Sequence, residues 1–144
     1  MQTSQLERED RNFIMKAAKL GAEEVNLSRM AAQRASNPQV KSFAQQLAND
    51  HEQANRELTE LATRKGVTLS DREKDYNDWS KKGASEFDED YVKKMRSAHK
   101  DAVDLYEDAA RECKDAEVVA YARKYLPKLQ AHLRHAEQLK PMVD

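Results

Sequence analysis

The chain has 144 residues, enough for one domain with its own core. Its 25 basic and 26 acidic residues leave a net charge of -1 and are interspersed throughout, so no basic face is available to grip nucleic acid. No apolar run approaches the roughly 18 residues that a membrane-spanning helix needs, and the single cysteine, Cys113, excludes an intrachain disulfide.

Glycine and proline are scarce, at three each, and Ala, Leu, Glu, Lys, Arg and Gln dominate, which favours helix. The first helix is predicted over about 4–35, with Ser4 as its cap and Glu7 completing a capping box. The polar start "MQTSQLERED" does not read as a signal peptide; an exported natural protein would appear here in its mature form. "SNP" at 36–38 breaks the periodicity, and Pro38 suits the first turn of a second helix over 38–65, which Gly66 ends. Residues 66–86 are the weakest helix formers, with room for one short helix around Asp71 to Lys82. A third helix over about 87–113 and a fourth over about 116–139 flank the short turn "KDA". Pro141 is expected to follow the end of the fourth helix, and Pro127 to free the Arg123 carbonyl and bend the helix axis.

Three- and four-residue spacing gives each helix one apolar stripe. The stripes read Phe13, Ala17, Leu20, Glu24, Leu27, Ala31; then Val40, Ala44, Leu47, His51, Ala54, Leu58, Leu61; then Val92, Met95, His99, Ala102, Tyr106, Ala109, Cys113; and last Val118, Ala122, Tyr125, Leu129, His132, Ala136, Leu139. Each stripe holds one strongly polar residue: Glu24, His51, His99 or His132. Glu24 and His51 are equidistant from the first turn, and His99 and His132 from the last. At a rise of about 1.5 Å per residue, all four are expected within about one helical turn of each other. The expected fold is all-α, a four-helix bundle with a long connection between helices 2 and 3.

One carboxylate and three imidazoles are metal-ligand chemistry, and a bundle can hold an ion with side chains that project inward from facing helices. The predicted cofactor is one transition metal ion, zinc foremost, with iron or copper as alternatives. The metal-free alternative is a structural or stress-related helical interaction module whose layer is a buried Glu–His hydrogen-bond network. A third reading is an iron or copper oxidoreductase at the same layer, with a haem between two histidines the least favoured form. Di-iron bundles use Glu-x-x-His pairs, but Ala48 and Leu129 stand three residues before His51 and His132, and only Glu24 supplies a carboxylate on a central stripe. A single ion held by Glu24, His51, His99 and His132 is the expectation. Four protein ligands favour binding, buffering or structure over catalysis. Asp50, Glu52 and Glu23 read as solvated charges, one of which could orient a ligand imidazole. His135 falls at the edge of the layer or in solvent, Tyr106, Tyr125 and Met95 read as packing, and Cys113 lies too far along its helix to join. No protein partner can be named.

The blocks "FIMKAAKLGAEEVNLSRMA", "VKSFAQQLANDHEQANREL", "FDEDYVKKMRSAHKDAVDLYEDAA" and "YLPKLQAHLRHAEQL" resemble those of a bacterial ferritin-like family, number 4142 among the domains of unknown function. The resemblance covers about residues 10 to 140. It implies a ferritin-like four-helix fold and an exported, periplasmic or envelope-associated protein, and it implies no established reaction. With the length of 66–86, it also implies a crossover along the bundle that makes helices 2 and 3 parallel.

Overall fold

The computed structural model describes residues 6–69 and 76–144. Four long helices make up the architecture: α1 Arg8–Arg34, α2 Pro38–Arg64, α3 Ala84–Glu112 and α4 Ala116–Val143. One 3-10 turn, Asn77–Lys81, precedes α3. Helix α1 starts at Arg8 with Glu7 as a cap that makes no side-chain hydrogen bond, so it begins later than expected; Ser4 lies outside the described residues. Acidic Glu9 and Asp10 favour the positive end of the α1 dipole instead. Asn37 caps α2, accepting from the Gln39 and Val40 amides, with Pro38 in the first turn. Asp115 caps α4 in the same way, accepting from Glu117 and Val118.

Helix α2 ends in a left-handed glycine. Gly66 has φ +72°, the Val67 amide reaches back to the Ala62 carbonyl (2.9 Å) and the Gly66 amide to that of Thr63 (3.3 Å). This is the glycine-terminated helix end that the sequence predicted. The expected end of α4 was wrong: the helix continues through Pro141 to Val143, which packs against the apolar core beside Leu139. Pro127 also lies within continuous helix, on an exposed position where water can satisfy the freed carbonyl. Of the short helix expected around Asp71 to Lys82, residues 71–75 lie outside the described set, and the remainder is the 3-10 turn.

Each helix adjoins two others: α1 meets α2 and α3, and α4 meets α3 and α2. Polar tethers set the directions. Asp88, in the opening turns of α3, accepts from the Ser36 and Asn37 amides of the α1–α2 turn (2.7–3.2 Å). Asp10, in the opening turn of α1, accepts from the Lys114 and Asp115 amides of the α3–α4 turn (2.7–3.1 Å). Helices α2 and α3 therefore start at the same end and run parallel, diagonal to each other. This is the expected direction; residues 70–75 of the connection between them lie outside the described residues.

The two tethers are counterparts. Asp10 and Asp88, Phe13 and Tyr91, Asn37 and Asp115, and Val40 and Val118 are separated by one constant number of residues. The α1–α2 and α3–α4 hairpins are thus related by an approximate twofold, and each lends a buried aspartate to the other's turn.

The stripes face inward. Every stripe residue is buried except Leu20 and Cys113, which are partly exposed. Beside Leu20, a Cβ added at the buried Gly21 would meet Asn55 Oδ1 of α2, so the Asn55 side chain would have to shift. The core consists of two apolar clusters. One gathers Phe13, Leu58, Tyr106, Tyr121 and Leu129 around the start of α1, and the other gathers Leu27, Phe43, Leu47, Tyr91 and Met95 around its end.

Candidate metal centre

Between the two apolar clusters lies the polar layer. Glu24, His51, His99 and His132 are 3%, 7%, 0% and 4% exposed, one from each helix. Antiparallel hairpins bring the first two and the last two to one height, and the parallel α2 and α3 bring the pairs together. His51 Nε2 is 2.8 Å from Glu24 Oε2, and His99 Nε2 is 3.5 Å from the same oxygen. The two imidazole Nε2 atoms are 3.2 Å apart. His132 closes the group, with its ring centroid 5.4 Å from those of both His51 and His99. One ring nitrogen from each histidine lies within 4.8 Å of the others.

Hydrogen bonds decide which nitrogens are available. His99 Nδ1 is 2.8 Å from the Met95 carbonyl, which can only accept, so Nδ1 carries the hydrogen and Nε2 keeps its lone pair in the neutral ring. His132 Nε2 donates to Asp50 Oδ2 at 2.8 Å across the α2–α4 seam. Its other nitrogen, Nδ1, is buried without a hydrogen-bond partner. A ring with one N–H fixed by a carboxylate and the opposite nitrogen bare is the form in which histidine binds metal. Glu24 Oε2 sits close to two imidazoles, yet neither contact is aligned as a hydrogen bond, so this buried oxygen also lacks a well-directed partner. The three imidazoles therefore fit a transition metal ion, while Glu24 adjoins His51 and His99 without joining the same close group of ligand atoms, and two buried lone-pair atoms are left over.

Electrostatics set the resting charges. Burial pushes the Glu24 carboxyl up, but His51 and His99 together hold it down at about 2. Burial pushes His51 down, and the adjacent Glu24 carboxylate more than reverses this, so its pKa is raised. Burial prevails at His99, whose pKa is lowered. It prevails also at His132, lowered to about 4 despite the hydrogen bond to Asp50. At neutral pH, Glu24 is ionised and His99 and His132 are neutral. Two imidazoles are thus already in the form a metal requires.

Asp50 is the residue whose part differs most from expectation. It follows no stripe and adjoins His51 in sequence, yet it orients His132. His135 lies at the edge of the layer, its ring 4.7 Å from that of Phe43. Met95 contributes its backbone carbonyl, and Cys113 stands apart from the layer, near Asp10.

The model of the family described as "Domain of unknown function (DUF4142)" matches residues 1–139. The chain belongs to this family. No curated protein matches it by sequence. Among solved structures, this DUF4142 chain resembles a DUF305 fragment from Deinococcus radiodurans, with TM-score 0.84 and 14% identity over 96% of this chain and 99% of that one. It also resembles CopM in the Cu(II)-bound form, with TM-score 0.75 and 16% identity over 92% and 95% of the two chains. For CopM in the Cu(I)-bound form the values are 0.77 and 18%, over 90% and 93%. At these identities the likeness establishes the fold, a ferritin-like four-helix bundle. Among the described residues of this DUF4142 chain, no helix is long and apolar enough to cross a membrane.

Proposed function

We propose that the chain, as one domain over residues 1–144, binds a single transition metal ion through Glu24, His51, His99 and His132, for binding or buffering rather than catalysis. The observation that carries this reading is the buried three-histidine group, in which one ring nitrogen from each residue lies within 4.8 Å of the others, together with the buried, unpartnered His132 Nδ1. When bound, the ion would supply a shared positive partner for four polar groups that the apolar clusters otherwise enclose. The chain's own part is to hold them: the Met95 carbonyl fixes His99, Asp50 fixes His132, and Glu24 provides the compensating charge. Zinc is the first reading, since it takes imidazole and carboxylate ligands in closed four-coordinate sites. Copper is the second, favoured by the Cu(I)- and Cu(II)-bound CopM structures on the same fold. The family resemblance supports an exported protein of the periplasm or envelope.

Elemental analysis of untagged protein names the metal. Melting curves of the wild type and His51→Ala, in zinc, in copper and in chelator, test the site. Bound metal is expected to raise the midpoint by an amount that grows with ligand excess, several kcal/mol for a tight site, and His51→Ala is expected to lose that gain. Identical wild-type curves in all three conditions, with no metal retained, would establish the metal-free Glu–His network instead.

A further inference from the structure

An ion bound in this layer must pass between helices to reach it, and the four seams of the bundle are not equivalent. Helices α2 and α4 are the most sparsely packed of the four neighbouring pairs. On that seam a cavity of about 10 Å³, room for about one water, lies against His51 and His132 and is lined also by Asp50, Tyr125 and Lys128. Asp50 spans it. Its Oδ2 accepts from the buried His132 Nε2 at 2.8 Å, and its Oδ1 faces the half-exposed Lys128 Nζ at 3.6 Å. The carboxylate thus touches the layer on one side and a surface cation on the other. Two of the other seams differ. Over α1–α2, Arg29 pairs with Glu52, and the groove beside them touches none of the four polar residues. Over α3–α4, Arg96 faces Glu137 at 3.8 Å.

We propose that Asp50 is the portal carboxylate through which a divalent transition-metal cation enters and leaves the layer along the α2–α4 seam, displacing the Lys128 ammonium as it arrives. The proposal rests on the metal-binding reading above. A carboxylate that faces water holds an incoming cation before the cation sheds its hydration shell. The same carboxylate holds the His132 ring whose free nitrogen receives the ion. The Lys128 pair is suited to be displaced, because a half-exposed ion pair is weak and screened.

The test mixes metal-free full-length protein with zinc ion alone at low ionic strength. Uptake is followed with a chromophoric zinc indicator, release into excess chelator is followed separately, and final occupancy is measured at saturation. Lys128→Gln removes the competing cation and is expected to speed uptake several-fold. Arg29→Gln and Arg96→Gln, which remove equal charge from the other seams, are expected to leave uptake within twofold of wild type. Asp50→Asn keeps an oxygen that can accept from His132 Nε2 but loses the charge. It is expected to slow uptake about tenfold, and the difference should shrink in about 0.5 M salt. Uptake by Asp50→Asn as fast as wild type overturns the portal, as does equal acceleration by all three cation variants. Lys128→Gln carries the test even if Asp50→Asn fails to fold. A wild type that takes up no zinc or copper removes the metal-binding reading itself, and the portal with it, whereas normal binding without seam preference removes the portal alone.

Discussion

Asp88 and Asp10 are carboxylates with 3% and 0% exposure, each spent on the backbone of a turn in the other hairpin. A buried N–H that loses a charged acceptor keeps its desolvation cost, so removal exceeds the value of one exposed hydrogen bond. Asp88→Ala is expected to cost about 2–4 kcal/mol, and Asp88→Asn, which keeps an acceptor, clearly less. Urea unfolding with an unchanged slope would read this directly. Neither aspartate stood out in the sequence, because both fall off the apolar stripes among other charges. A signal was present nonetheless: Asp10 with Asp88 and Asn37 with Asp115 recur at one separation. The layer residues were legible for the opposite reason, since a polar side chain on an apolar stripe is conspicuous. Asp50 was only half legible, because its partner His132 depends on which helices become neighbours.

At the level of helices, periodicity located all four elements, while ends set by tertiary contact escaped it. Helix α4 continues past the point where Pro141 should have stopped it, because Leu139 and Val143 have apolar surface to cover. Pro127 is likewise carried by its neighbours rather than by local preference. It occupies an exposed face and removes one helical hydrogen bond. Pro127→Ala is therefore expected to stabilise the protein by about 1–3 kcal/mol, seen as a higher thermal midpoint in chelator. A lower midpoint would mean that the proline shapes the seam beside His132.

On the scale of the whole molecule, a polar layer between two apolar clusters ties global stability to pH. With chelator present, His132 titrates near 4 in the fold against 6.5 when unfolded, and His99 is shifted the same way. The unfolded chain then binds more protons, so stability is retained above about 6.5 and falls as pH drops towards 4, by about 1.4 kcal/mol per unit for each proton. Glu24, held at about 2 against 4.5, adds a further loss below 4.5. His51 is shifted upward, so its contribution is present below 6.5 and fades as pH rises through its folded value. Urea midpoints measured against pH should show the acid limb, and His132→Leu should flatten its upper part. The reciprocal aspartate tethers carry a different consequence. They relate the two helical hairpins to each other, and the same separation pairs Glu24 with Ala102, His51 with Leu129, Gly21 with His99 and Ala54 with His132. Wherever one hairpin has a proposed ligand, its twin has an apolar or small residue. Two copies of the first hairpin would face each other with two carboxylates and two imidazoles, and two copies of the second with four imidazoles. Only the mixed pair yields three imidazoles and one carboxylate, so the donor set is heterodimeric in character although a single polypeptide encodes it.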